Sequence, residues 1–397
     1  LKINTCSLKT FKLKVLQRNV KRRWLDLKIT KIEMMHVKPR WLFLKMYTDE
    51  GLVGYGEPTL EGRSKTVEMA VKEMERYLIG EDPLKIEHHW QAMYRGTFYR
   101  GGPVLTSAIS GIEQAMWDIL GKKLKVPIYQ LLGGACRERI RIYAHVGGRT
   151  PEECAKAALS RVEEGFTALK TGLFEAVRTV DSLSIVKKAV EKFKAMRDAV
   201  GDDVDIAVDC HGRLSPAMAV RMAKALEPYY PMFLEEPCLP ENVDVMAAVA
   251  RSTSIPIATG ERLFTKWGFR EVLEKQAASI LQPDVSHAGG IMECKKIAAM
   301  AETYYAAVAP HCPLGPIALA ACIQLDACTP NFLIQEQVTL GEGYLKKPFA
   351  LKNRYIDVPK EPGLGIEIDE DLIREKIYNG EWETPRLYHE DGSVADW

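Results

Sequence analysis

The chain has 397 residues, 47% hydrophobic and 27% charged, with a formal net charge of +1. That balance carries no electrostatic footprint for nucleic acid or an anionic membrane, and no apolar run reaches the ~18 residues a membrane-spanning helix needs. Nine cysteines, odd in number and without a C-x-x-C pair, read as reduced thiols in a cytosol, not as a disulfide framework or a zinc site.

Residues 1–27 carry eight Lys or Arg against the single Asp26, without clear periodicity. A targeting peptide would be basic and acid-poor in this way, but no apolar core follows. A basic tail binding nucleic acid is another option. The plainer expectation is an extension outside the fold. From Lys28 the pattern changes. Residues 28–47 read as extended segments around Lys38-Pro39-Arg40, and Asp49-Glu50-Gly51 is a hairpin signal. Helical periodicity follows over 63–79 and 104–121. These predict a strand-then-helix α+β unit over 28–138.

Beyond Arg139 short apolar runs recur at Ile140–Val146, Ala168–Thr171, Ile206–Val208 and Met232–Leu234, then at Ile255–Ala258, Ala278–Leu281, Ala306–Ala309 and Phe332–Ile334. Amphipathic stretches such as Pro151–Glu164, Pro216–Leu226 and Met292–Tyr304 lie between them. Eight short strands alternating with helices predict an α/β fold, a (β/α)8 barrel over 139–345. A doubly wound open sheet competes, but no G-x-G-x-x-G or Walker sequence supports a nucleotide-binding version of it.

Three runs end in carboxylates: Asp209 in VDCHGR, Glu235 in FLEEP and Glu261 in ATGER, spaced 26 and 26 residues apart. Side chains from the ends of adjacent barrel strands converge on one mouth. Like charges that close are costly to bury unless a cation compensates, and oxygen-only ligands favour Mg²⁺. Whether Glu235 or Glu236 takes the inward face stays open, because alternation separates the two without saying which face is inside. His211 lies two residues past Asp209. His311, in APHCPLGP, ends the seventh run, and Asp284, in LQPDVSHAGG, ends the sixth. An Asp on the neighbouring strand can hold the second imidazole nitrogen of His311 and raise its basicity. Strands three and seven are opposed in an eight-stranded barrel, so His211 and His311 should face each other across the metal. His145 ends the first run and is a candidate substrate contact. His287 falls in a turn, and His36, His88 and His89 read as structural.

The segments PRWLFLK, FYRGGP, AISGIEQAMWDI, DCHGR, EEP, GER, LQPDVSHAGG, APHCPLGPIALAAC, IQEQ and PGLGIEIDE together resemble the mandelate racemase subgroup of the enolase superfamily, and within it the sugar-acid dehydratases. The resemblance covers nearly all of 28–397. It implies a Mg²⁺ ion on Asp209, Glu235 and Glu261, an Asp284–His311 proton-handling dyad, and His211 as the acid assisting loss of the 3-hydroxyl. It further implies that Glu336 hydrogen-bonds a carboxylate oxygen of the intermediate, that Lys170 and Arg40 join His145 as substrate contacts, and that the protein is a homo-oligomer, octameric in many relatives. By the same resemblance residues 28–138 form a capping domain, with 346–397 packing back towards it. D-Galactonate is the first substrate to consider. Two departures stand out. Racemase relatives have Lys-x-Lys on the second strand, whereas Lys170-Thr171-Gly172 lacks the second lysine. The residues Leu27-Lys28-Ile29-Thr30-Lys31-Ile32 look like the family's own beginning with Leu for Met, which implies a start near residue 27. A racemase using His211 and His311 as opposed bases is the alternative, and a catalytically silent barrel the distant one.

Overall fold

A computed structural model describes residues 27–397; the expected basic extension, residues 1–26, lies outside the described residues. Leu27, placed above with that extension, belongs to the core instead, at 1% exposure. An antiparallel sheet opens the described chain: β1 (Ile29–Val37), β2 (Trp41–Thr48) and β3 (Val53–Gly56). Both predicted turns are present, and Gly51 takes the left-handed conformation that a tight hairpin demands (φ 77°). Helices α1 (Ser64–Leu78), α2 (Ile86–Arg95), α3 (Gly102–Leu124) and α4 (Ile128–Leu131) follow.

The barrel is a parallel sheet of β5 (Ala144–Val146), β6 (Ala168–Gly172), β7 (Asp205–Asp209), β8 (Leu234–Glu235), β9 (Ile257–Thr259), β10 (Ile280–Leu281) and β11 (Ala307–Val308), paired in sequence order. The eighth run closes it. Leu333 N donates to Val308 O at 2.8 Å and Gln335 N to Arg141 O at 3.0 Å, with parallel bridges Val308–Phe332 and Ile142–Gln335. The outer helices are α5 (Pro151–Glu163), α6 (Leu183–Val200), α7 (Pro216–Leu226), α8 (Val243–Ala250), α9 (Thr265–Glu274), α10 (Ile291–Thr303) and α11 (Pro316–Ala327). Thr150 and Ser215 cap α5 and α7 just before Pro151 and Pro216, the arrangement in which proline's missing N–H costs nothing. The C-terminal segment adds β12 (Tyr355–Asp357), α12 (Glu370–Glu375), β13 (Leu387–Tyr388) and β14 (Val394–Ala395).

The first apolar run divides. Arg139–Arg141 forms a separate strand, β4, paired antiparallel with β12, and the chain joins the barrel only afterwards. Periodicity cannot register that change of partner.

One layer of the barrel explains the site. Tyr143, Ala168, Ala207, Phe233, Ala258, Ile280, Ala309 and Ile334 form a single buried cluster, one residue from each strand, with large and small side chains sharing the interior. Two residues further along each strand the side chain returns to the same face. Those positions are His145, Lys170, Asp209, Glu235, Gly260, Gln282, His311 and Glu336. The layer above the apolar plug is therefore polar all round, with a single gap at Gly260.

The long helix α3 is buried along most of its length between the small sheet and the barrel, yet carries the buried polar residues Ser107, Ser110, Glu113 and Gln114. These meet the turn after β10. Glu113 accepts Ile291 N (2.8 Å), Met292 N (2.9 Å) and Trp117 Nε1 (2.7 Å), while Ser110 Oγ accepts Gly289 N. A Cβ at Gly290 would strike the Glu113 carboxylate, hence glycine there. Glu57, just past β3, does the same for α11, accepting Gly315 N at 2.7 Å and Ala318 N at 3.0 Å. Each glutamate is fully buried and closes a barrel-helix N-terminus, where unsatisfied N–H groups and the helix dipole favour negative charge. Glu113→Ala leaves those donors unpaired, at about 1–3 kcal/mol for each buried group. The expected result is a marked fall in the urea midpoint, partly recovered in Glu113→Gln; an unchanged midpoint would show that the contact contributes nothing.

Candidate active site

Asp209, Glu235 and Glu261 each offer one oxygen, all within 4.8 Å of one another, and could hold a metal ion. The face question is resolved: Phe233 lies in the inner cluster, so Glu235 shares the inward face. Glu236 turns away (φ 36°) and is engaged by Arg262 Nε at 2.7 Å and Thr259 Oγ1 at 3.2 Å. Glu261 reaches the cluster differently. Gly260 occupies the inward position with φ 146°, and a Cβ there would meet Gln282 N and the Phe269 ring, both at 2.8 Å. The turn at that glycine brings the Glu261 carboxylate round to the other two.

Lys170 Nζ stands among the acids, 3.0 Å from Asp209 Oδ2, 2.6 Å from Glu235 Oε1 and 2.9 Å from Glu336 Oε1. Burial opposes its charge, but Asp209, Glu235 and Glu336 hold the ammonium well above its usual range. One ammonium does not satisfy the cluster. Burial and the neighbouring Asp209 push Glu235 well above the carboxylate range, and burial pushes Glu261 up to about 7. Glu235 Oε2 and Glu261 Oε2 are buried without a hydrogen-bond partner; Glu261 Oε2 lies 3.2 Å from His311 Nε2 but is not aligned to accept from it. Two orphaned carboxylate oxygens facing a third carboxylate are the donor set of a hard divalent cation, so the residues present fit one.

His311 Nδ1 lies 2.8 Å from Asp284 Oδ2, while Asp284 Oδ1 accepts Ser286 N at 2.6 Å. Burial disfavours the imidazolium, yet Glu261, Glu336 and Asp284 raise His311 well above its ordinary range. Glu336 is engaged throughout: Oε1 with Lys170 and with His145 Nε2 at 3.0 Å, Oε2 with Cys312 N at 2.8 Å. His211 has φ 49°, donates its N–H to Asp209 Oδ1 at 3.0 Å, and places Nε2 3.2 Å from Asp209 Oδ2. Burial pushes its imidazole down. Of the expected residues, Asp209, Glu235, Glu261, Lys170, Glu336, His145, Asp284, His311 and His211 come together at one end of the barrel. Arg40 reaches that end from the β1–β2 turn, where Nη2 donates to Pro313 O at 3.0 Å and pairs with Glu61 at 2.7 Å. His287 bonds Ser107 Oγ at 2.9 Å, and His36 pairs with Glu68 at 2.8 Å. At Gly172, where a second strand-two lysine would stand, a Cβ would meet only open space.

Sequence reasoning missed two residues. Gln282 holds the inward position of the sixth strand, buried, with neither side-chain amide atom partnered; the alternation from Ile280 could have found it. Trp397 packs on the His211 ring, and no local signal announces it.

The strand ends of this (β/α)8 barrel thus bring together a carboxylate triad that could hold a metal ion and a buried His–Asp pair, at the rim where barrel enzymes keep their chemistry. The family model described as "Enolase C-terminal domain-like" matches residues 153–372, and that described as "Mandelate racemase / muconate lactonizing enzyme, N-terminal domain" matches 12–133. The chain belongs to the enolase superfamily, in its mandelate racemase subgroup. It is 49% identical to the D-galactonate dehydratase of Ralstonia pickettii (strain 12J) and 47% identical to that of Cronobacter sakazakii (strain ATCC BAA-894), each match covering 94% of this chain and all of the relative. Among solved structures, a mandelate racemase/muconate lactonizing enzyme from Sulfitobacter sp. superposes with TM-score 0.84 at 37% identity, covering 90% of this chain and 99% of that one. An enolase superfamily member from Salmonella Typhimurium gives TM-score 0.84 at 33% identity, covering 88% and 98%.

If Lys170 supplies only part of the positive charge, Lys170→Ala lowers the stability of the metal-free protein by about 3 kcal/mol or more, the typical result of unpairing a buried charge. A divalent cation should then raise the melting temperature more in the variant than in the wild type. Equal shifts in both proteins would show that the ion binds elsewhere.

Proposed function

We propose that the protein is a hydro-lyase that dehydrates a sugar acid, D-galactonate first among candidates, to a 2-keto-3-deoxy acid. The observation that carries this reading is an asymmetry at the mouth of the barrel. His311 has a buried carboxylate partner, whereas the inward position at Gly172, where the racemase base would stand, holds no side chain. One positioned base and a different histidine across the barrel suit elimination better than two-base inversion. The names of the relatives, dehydratases at 47–49% identity over nearly the whole chain, point the same way.

In this reading residues 28–138 cap a barrel of 139–345, with 346–397 packed back on the cap. Asp209, Glu235 and Glu261 would hold Mg²⁺, which when bound would supply positive charge against the charge developing on the substrate carboxylate. His311 Nε2 takes the C2 proton, while Asp284 holds Nδ1 and so fixes the tautomer and the ring. Lys170, which donates to Glu336, and His145 beside it border the carboxylate end of the substrate, and Glu336 stabilises the intermediate by hydrogen bonding at a carboxylate oxygen. Arg40 acts on the same space through the Pro313 carbonyl it holds. His211 protonates the departing 3-hydroxyl, which leaves as water, and the enol then tautomerises. General acid–base catalysis contributes typically ~10²–10⁴-fold, too little for so weak an acid without the cation.

The same reading takes the protein as a cytoplasmic homo-oligomer. Support comes from the exposed Phe98 and Tyr99 of the FYRGGP segment and from eight described cysteines, none of them disulfide-bonded. No helix among the described residues is long and apolar enough to cross a membrane.

Incubation with a panel of hexonates, pentonates and aldarates plus Mg²⁺, followed by semicarbazide detection, should reveal a keto acid from at least one of them; inversion without keto acid would select the racemase reading. His311→Asn should lower turnover by about 10³-fold or more and abolish exchange of the C2 hydrogen with solvent deuterium. Full exchange in that variant would remove His311 from the role of base.

A further inference from the structure

The two histidines have different tasks in the dehydratase reading, and the fold holds them differently. His311 has its own orienting carboxylate, Asp284, at 2.8 Å. His211 does not. The one carboxylate paired with its Nε2 among the described residues is Asp209, at 3.2 Å, and that oxygen already faces Lys170 and belongs to the triad fitted for a metal. The hydrogen bond from His211 N to Asp209 Oδ1 fixes the backbone and not the ring. What meets the ring is Trp397, with centroids 5.2 Å apart and planes inclined at 33°.

The chain delivers Trp397 by a defined route. β13 and β14 form a hairpin that turns at Gly392 (φ 83°) and carries Asp391 into an ion pair with Arg178, at 3.0 Å, in the loop after the second barrel strand. Two residues beyond β14, the Trp397 indole touches His211 and also lines a cavity of about 570 Å³ with Glu61, Arg63 and Arg386. It thus stands at the solvent border of the histidine. An indole is planar, apolar across its face and electron-rich, so it can hold an imidazole by stacking and attract it more strongly once protonated. Excluding water on that side also strengthens the electrostatics of a proton transfer.

We infer that Trp397 is a positioning residue for the acid step: its indole fixes the His211 ring for delivery of the proton to the C3 oxygen and shields the ring from bulk water. The inference rests on the dehydratase reading above. No co-reactant is added: the proton passes from His211 to the C3 oxygen, the C3–O bond breaks with its electron pair on oxygen, and water leaves.

The test uses the full chain with Mg²⁺ and the sugar acid that the wild type dehydrates, in D₂O, with Trp397→Ala and Trp397→Phe. Trp397→Ala should lose dehydration by roughly 10-fold or more, a part of the ~10²–10⁴-fold an acid catalyst contributes, while deuterium accumulates at C2 of the unreacted substrate. Trp397→Phe should restore most of the dehydration, and Mg²⁺ should stabilise all three proteins alike. Dehydration at the wild-type rate in Trp397→Ala would overturn the inference, and so would loss of exchange in step with dehydration, because an orienting role at the acid spares the base. Failure of Trp397→Phe to recover activity would also count against it. If the wild type forms keto acid from no sugar acid at all, it is the dehydratase reading that fails.

Discussion

Everything at the mouth of this barrel depends on a surplus of negative charge held out of water. Asp209, Glu235, Glu261 and Glu336 crowd one end of an interior otherwise plugged by Tyr143, Phe233, Ile280 and Ile334, with Lys170 the cation buried at their centre. In so dry a place, carboxylates unmatched by positive charge cost several kcal/mol. A metal ion, which the triad could hold, would offset this surplus, and the unpartnered oxygens of Glu235 and Glu261 mark where the compensation is missing. A site made for chemistry here begins as a defect in local stability.

The second constraint is position. The His–Asp pair stands on the turns after the sixth and seventh strands, and turns are the softest parts of a barrel. Here they are stiffened from outside. Glu113, Ser110 and Gln114 of α3 hold the 285–292 turn, while Glu57 and Arg40 hold the 313–318 stretch. The N-terminal unit thus does structural work on the barrel: its buried glutamates secure the backbone that carries Asp284 and His311. The opposite side is built otherwise. His211 sits on a strained backbone at φ 49° with Asp209 and the tail's Trp397 against it, so its surroundings include a segment that folds back from the far end of the sequence.

Much of this was legible in the sequence, for definite reasons. A parallel barrel strand is a short apolar run that ends where solvent begins, so polar residues at regular intervals just past such runs point to one rim. That logic located Asp209, the Glu235–Glu236 pair, Asp284 and His311 at the strand ends where they stand, whereas Glu336 came from the family resemblance alone. It could not choose between Glu235 and Glu236, because alternation puts the two on opposite faces without saying which face is inside; the choice needed Phe233 to be seen there. Nor could it foresee that Gly260, not Glu261, takes the inward position of its strand. The helix Ile86–Arg95 escaped notice because two to three turns give too little periodicity. Glu57 and Glu113 were invisible for another reason: their partners lie 258 and 178 residues away in the chain, and nothing local distinguishes a carboxylate that will cap a distant helix from one that will face water.

The account stands on one chemical claim, that the proton taken from C2 is followed by departure of the C3 hydroxyl. Running the wild-type reaction on D-galactonate with Mg²⁺ in D₂O and reading the product by proton NMR tests this most directly. Elimination followed by tautomerisation predicts a 2-keto-3-deoxy acid carrying one solvent deuterium at C3. Recovery of intact galactonate or its C2 epimer, deuterated at C2 and with the C3 hydroxyl in place, would contradict it.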